Sequence, residues 1–271
     1  MSNYIFSGSA MGFAAQFHRL DDVENLCHVV PTLGSSVLAP TGGYAWSRKS
    51  HFAYRVDQPR KRTLLSVRKV KTDVWGRDLG KRFETEVNVE IEALEVLEKL
   101  HIGSARLHFL STRPATPEDA AVTVTTKGSR IEGMSLNGVD VAVTLDDEPL
   151  CFSGDAQQLS AFYDSKPADY KKKYGWRYSM NVPPGSADPH PHHHKFTLVR
   201  EIHLSGPPNK LADVSVDGNT ITWKGFGKII LGEVHVKGND RQVNMVRLAM
   251  GSDGGGTGAG PGGASNGGNQ G

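Results

Sequence analysis

Cysteine is scarce in this chain. Cys27 and Cys151 are the only two in 271 residues. Two cysteines cannot build a disulfide framework, although one bridge between them is allowed. Long apolar runs are lacking as well: no stretch approaches the roughly 20 residues needed to cross a bilayer. The opening Met1-Ser2-Asn3-Tyr4 carries no basic region followed by an apolar core, so no signal peptide is predicted. Together these absences predict a soluble, cytoplasmic protein that makes no membrane contact. An excess of either charge is also missing. Lys plus Arg total 31 and Asp plus Glu 29, a net charge of +2. That balance argues against a dedicated nucleic-acid coat.

Catalytic signatures are equally sparse. There is no His-Glu-x-x-His helix and no Cys-x-x-Cys pair. Gly225-Phe226-Gly227-Lys228 lacks the further glycines of a dinucleotide fingerprint or a P-loop. Cys27 and His28 are neighbours, and adjacent strand residues point to opposite faces, so neither would activate the other. Asp146-Asp147-Glu148 lacks the spacing of a cation-binding loop.

What is present is alternation. Phe83, Val87, Val89, Ile91 and Ala93 share one parity, and Glu84, Glu86, Asn88, Glu90 and Glu92 hold the other. This pattern predicts a long strand with one buried face and one wet, acidic face. A basic block precedes it, with 12 Lys or Arg between Arg48 and Arg82. Within that block Leu64–Val74 is strand-like, and its apolar parity shifts near Arg68-Lys69, which predicts a bulge. The basic and acidic runs could pair within a sheet or between subunits. Leu94, Leu97 and Leu100 have helical spacing and leave 92–100 ambiguous. Ile131–Leu136, Asn137-Gly138 and Val139–Leu145 make the clearest hairpin. Two further hairpins turn at 217–219 and 238–239. Helix is expected at Ala156–Tyr163 and Ala168–Tyr174, the first capped by Asp155 and the second started by Pro167. Asp21–Leu26 could form one helical turn. From Gly251 on, 11 of 21 residues are glycine. Such a segment reads as a flexible tail, although alternating glycines would let an extended chain lie close against a neighbour.

Three groups of residues could carry chemistry. Asp188, His190, His192, His193 and His194 lie in a Pro- and His-rich segment read as a loop. There His190, His192 and His194 would share one side and could hold zinc, nickel or copper, because neutral imidazole suits those metals. The bland alternative is a solvated loop. Lys171, Lys172, Lys173, Trp176 and Arg177 interleave bases and aromatics, as nucleic-acid-binding segments do. The alternative there is a basic helix end, with Tyr174 and Trp176 packed inward. Glu84, Glu86, Glu90 and Glu92 could place two carboxylates within hydrolase distance, or simply form a charged face.

The Thr41-Gly42-Gly43-Tyr44 turn, the Glu-rich strand leading to Leu94-Glu95-Val96-Leu97, and the Ile-Glu-Gly-Met-Ser-Leu-Asn-Gly hairpin at Ile131 resemble a set of uncharacterised bacterial β-rich proteins. The resemblance covers about a third of the chain. It implies a bacterial source and a β fold, and it transfers no activity and no site residues.

The expected fold is therefore all-β: an antiparallel sandwich or flattened barrel over 1–250, with one or two short helices, followed by the Gly-rich tail 251–271. The prolines near 112–120 allow an internal boundary. The expected function is non-catalytic binding or self-assembly on this scaffold, the partner being a second copy of the chain. The alternatives are a metal-binding protein or metal-dependent enzyme using 188–194, and nucleic-acid binding through the basic, aromatic segment.

Overall fold

The computed structural model describes residues 4–18, 27–57, 61–115, 122–151, 156–180, 192–224, 226–237, 240–249, 260–261 and 263–266. The chain is built mainly of antiparallel strand, as its alternation predicts. In chain order the strands begin with β1 (Ser9–His18) and β2 (Cys27–Val37). A meander follows: β3 (Gly43–Val56), β4 (Arg62–Asp78), β5 (Arg82–Val96) and β6 (Leu100–Pro114). Then come β7 (Thr123–Thr125), β8 (Arg130–Leu136) and β9 (Val139–Leu145). Three short helices interrupt: α1 (Glu148–Cys151), α2 (Ala156–Ser165) and α3 (Ala168–Lys173). The remainder is β10 (Arg177–Met180), β11 (His192–Thr197), β12 (Val199–Ser205), α4 (Pro208–Leu211), β13 (Val214–Asp217), β14 (Thr220–Trp223), β15 (Gly227–Lys237), β16 (Asp240–Ala249), β17 (Gly260–Pro261) and β18 (Gly263–Asn266). No helix among the described residues is long and apolar enough to cross a membrane.

These strands form two sheets. The eight-stranded sheet runs β12–β9–β8–β6–β5–β4–β3, with β7 added on β6. The other holds β10, β11, β15 and β16, with β14 and β13 beside β15, and continues through β18 to β1 and β2. Their inner faces close on one another: β1 lies against β4 and β5, and β16 touches β6. Val74, Val87, Ile91, Phe109, Ile229 and Val243 are fully buried there and belong to one apolar core. At about 25 cal/mol per Å² of apolar surface removed from water, this interface is the main stabilising term.

The parity shift near Arg68-Lys69, which predicts a bulge, is instead a kink on a line that crosses β3, β4, β5, β6 and β8; no strand gains an extra residue there, because the register is the same on both sides. Lys69 pairs with Glu92, but the next pair is Val67 with Leu94. The same step recurs from Ser50–Lys69 to Phe52–Val67, from Glu92–Ser104 to Leu94–Ile102, and from Ser104–Glu132 to Ile102–Met134. The residues on this line are His51, Arg68, Ala93, Gly103 and Gly133, and His51, Ala93 and Gly133 have φ of +53°, +50° and +63°. Each strand changes parity here: Val67 then Val70, Ile91 then Leu94, Ile102 then Ala105, and Ile131 then Met134 are the buried residues. Kinks aligned across the strands let the sheet bend as a unit while both halves keep their apolar side inward. Gly103 and Gly133 allow the closest approach, since a Cβ on Gly103 would meet the Glu132 carbonyl oxygen at 3.2 Å.

The line also resolves the ambiguity at 92–100. Ala93, expected on the buried face, is the residue at the kink, so Leu94 and Val96 turn inward instead. Leu97 and Glu98, both at positive φ, then turn the chain into β6. The helical spacing of the three leucines arises from a kink followed by a turn. The hairpin at Asn137-Gly138 forms as expected, with φ of +49° and +78°.

Three other expectations need correction. His192–His194 are strand, because β11 is held between β10 and β15. Phe196, Leu198, Ile202 and Leu204 alternate with Thr197, Val199, Glu201 and His203, but that alternation is broken at Leu198, where the chain leaves one sheet for the other; the Leu198 N–H donates to the Gly232 carbonyl (2.7 Å) and its carbonyl accepts from Asp146 N–H (2.7 Å). Part of the Gly-rich tail is strand: β18 pairs with β16 on one side and β1 on the other, and β17 pairs with β1. Small residue types suit a strand inserted between two others. Asp21–Leu26 and Asp155 lie outside the described residues.

Candidate functional site on the outer face of the eight-stranded sheet

Period-two geometry turns one side chain in two outward on β3–β6, and the register sets these side chains in cross-strand rows. One row reads Trp46, Asp73, Asn88, His108. The next reads Arg48, Lys71, Glu90, Arg106, Arg130. On the other side of the first lies Tyr44, Trp75, Glu86, Leu110. Rows two residues apart are separated by about 7 Å. Over this face lies a depression of about 360 Å³, floored by Asn88 and Val89 and walled on one side by Lys127 and Gly128.

The polar groups of the depression are held in place by one another. Asn88 Nδ2 donates to Asp73 Oδ1 (3.1 Å) and to Glu86 Oε1 (3.0 Å), which keeps the two carboxylates within about 6 Å. Lys71 pairs with Asp73 (3.1 Å) and Arg77 with Glu86 (3.0 Å). His108 Nδ1 lies 2.7 Å from the Lys127 carbonyl oxygen. A carbonyl only accepts, so Nδ1 carries a proton. The neutral ring therefore turns an acceptor, Nε2, toward Glu86 Oε1 at 3.5 Å. Two acceptors face one another here, and each can take a hydrogen bond from its own donor. Ser129 fixes the wall: it accepts from His108 N–H at 3.0 Å and donates to the His108 carbonyl at 3.2 Å. At the edge of the sheet Tyr44 stacks on Trp75 (3.8 Å), Arg77 lies over Trp75 (4.8 Å), and Trp46 is 61% exposed.

The acidic alternation is largely a charge-paired face. Glu84 pairs with Arg82, Glu90 with Lys69, and Glu92 with both Arg68 and Lys69. Hydrogen bonding to Lys69 holds the Glu92 carboxyl below its usual range and, reciprocally, the Lys69 ammonium above its own. The basic and acidic blocks thus meet within one sheet.

The histidine segment is distributed differently from the expected cluster. Asp188 and His190 lie outside the described residues. His192 and His194 share one side of β11, while His193 turns to the other and stacks on His235 (5.7 Å). His194 is fully buried. The Trp176 indole N–H, which can only donate, lies 3.3 Å from its Nδ1, and Ser160 Oγ lies 3.0 Å from Nε2. In the neutral ring Nε2 therefore carries the hydrogen and donates to Ser160, the reverse of what a base activating that serine requires. Burial, reinforced by His192 and His193, pushes the His194 imidazole down to about 4. His192 Nδ1 is engaged by the Tyr178 hydroxyl at 2.7 Å. Among the described residues no three metal-ligating side chains converge.

The basic, aromatic segment lies at a helix end. Trp176 is buried against Phe196 and Tyr163, so it presents no ring for base stacking. Lys171 sits over the Tyr163 ring, and Lys173 donates to the Tyr174 hydroxyl, which donates to Asp146. Lys172 and Arg177 are exposed. Elsewhere Glu233 is buried beneath Lys195, Arg247 and His235. Burial alone would raise its carboxyl, but hydrogen bonds from these three groups outweigh that and hold it far below the usual range. Cys151 is free and exposed.

Sequence reasoning did not single out Trp46, Asp73, Asn88, His108 or Arg106 as a group. The available signal was the parity of 44–48 and 71–77, read across the hairpin together with the acidic strand.

Fold and face define an antiparallel β-sandwich with a preorganised polar depression on one outer surface. A family model for a domain of unknown function (DUF8256) matches residues 4–196, and the chain belongs to that family. No curated protein and no solved structure matches the chain. The matched stretch contains every residue that lines the depression.

Proposed function

We propose that this protein is a non-catalytic binding protein that holds a polar, hydroxyl-rich ligand on the outer face of its eight-stranded sheet. The observation that carries this reading is the Asp73–Asn88–Glu86–His108 network. Acceptors are fixed there before any ligand arrives, in a concave site beside an exposed tryptophan. Preorganised acceptors suit hydroxyl donors, and an indole face suits the apolar face of a sugar ring. Binding is favoured over catalysis because Asp73 and Glu86 each have a cation already seated on them, whereas acid catalysis needs a carboxyl kept protonated.

Screening labelled protein on an oligosaccharide and polyol array tests this. Wild type is expected to retain at least one family of saccharides. Asp73→Ala and His108→Ala are each expected to weaken that binding at least tenfold, about 1.4 kcal/mol. An array without hits, or hits indifferent to both substitutions, contradicts the reading.

A further inference from the structure

The row beside the acceptor network carries an electrostatic mismatch. Arg106 and Arg130 stand directly opposite one another on β6 and β8. Like charges in that position repel. Arg130 turns to Glu132 (3.1 Å). Arg106 has no carboxylate within ion-pair distance among the described residues, although Glu90 faces it across the β5–β6 register; Glu90 is bound to Lys69 instead. Lys127, on the wall of the same depression, is exposed and likewise without an acidic partner among the described residues. Two unneutralised cations and a repelling arginine therefore border one end of a site whose other end is acidic and aromatic.

We infer that the ligand is an acidic saccharide, with its carboxylate or sulfate group seated between Arg106, Arg130 and Lys127. This rests on the proposed outer-face site. The guanidinium fork matches a carboxylate or sulfate in two-point geometry. The hydroxyls of the same sugar lie over Asp73, one row or about 7 Å away, and toward Glu86 in the row beyond it, and a further ring reaches Trp46. A nucleic acid fits less well, because Asp73, Glu86 and Glu90 would face its successive phosphates.

The test is calorimetric titration with trigalacturonate, its neutral methyl ester and a thymidine hexanucleotide, against wild type, Arg106→Gln and the remote control Lys172→Gln. The acid is expected to bind at least tenfold more tightly than the ester. Arg106→Gln should remove most of that preference, Lys172→Gln should leave both affinities unchanged, and added salt should weaken the acid alone. Unfolding of Arg106→Gln is expected at the wild-type temperature or above, since the substitution relieves a repulsion. Equal binding of acid and ester overturns the acid-group assignment and leaves the saccharide site standing. Preference for the oligonucleotide, or no binding of trigalacturonate, overturns it too. A clear loss of thermal stability in Arg106→Gln shows the side chain to be structural and does the same.

Discussion

Replacing Phe109 with alanine is expected to lower stability by about 3–5 kcal/mol, while His108→Ala, one residue earlier, costs about 1 kcal/mol. The two side chains leave the same strand on opposite faces. Phe109 is fully buried, opposite Val87 in the register, and its truncation leaves a cavity that close-packed neighbours fill poorly. His108 is only partly buried and loses its contact with the Lys127 carbonyl and the approach to Glu86. Urea unfolding of the two variants side by side checks this. Costs of similar size for both would mean that β6 does not separate a core face from a ligand face.

The second large effect is acid sensitivity through His194. Its ring is buried and neutral, with a folded-state pKa near 4. The unfolded chain takes up a proton near pH 6.5. The folded-state value is lowered, so the stabilisation is fully present above about pH 6.5. It is lost as pH falls from there to about 4, by about 3 kcal/mol in all. His194→Phe removes this linkage. It leaves the Trp176 indole N–H and Ser160 without that partner, so it should be less stable than wild type at pH 7.5 by about 1–2 kcal/mol. By pH 4.5 the difference should vanish or reverse. Carboxylates such as Glu233 also contribute to acid unfolding, but they are common to both proteins and cancel in the comparison. Parallel stability curves for the two proteins would contradict a neutral, buried His194.

Much of the architecture is legible in the residues, because period two is a property of the strand itself. Val87, Val89 and Ile91 are buried as their parity requires, and the Asn137-Gly138 turn forms where its residues permit positive φ. Legibility fails where one strand depends on another. Ala93 leaves the inner face because Arg68, His51 and Gly103 deviate beside it, and that coincidence is not visible along a single strand. The tail was unreadable for a different reason. Glycine offers little side-chain surface to bury, so its placement in a sheet depends on the neighbours β1 and β16. The candidate site was half legible. The acidic face was evident, but its partners come from β3, β4, β6 and the turn at Lys127, and only the register joins them. The histidines show the converse. A dense local motif points to a metal site, yet β11 sends His193 and His194 to opposite sides and buries the latter.

We propose the outward rows of β3 to β8 as the binding surface. Amide chemical-shift mapping of labelled protein tests it most directly, with the saccharide retained most strongly on the array as the titrant. Shifts are expected to gather at Trp46, Asp73, Asn88, His108 and Gly128. Shifts gathered instead at His192–His194 or Lys171–Arg177, or no shifts at saturating saccharide, would contradict it.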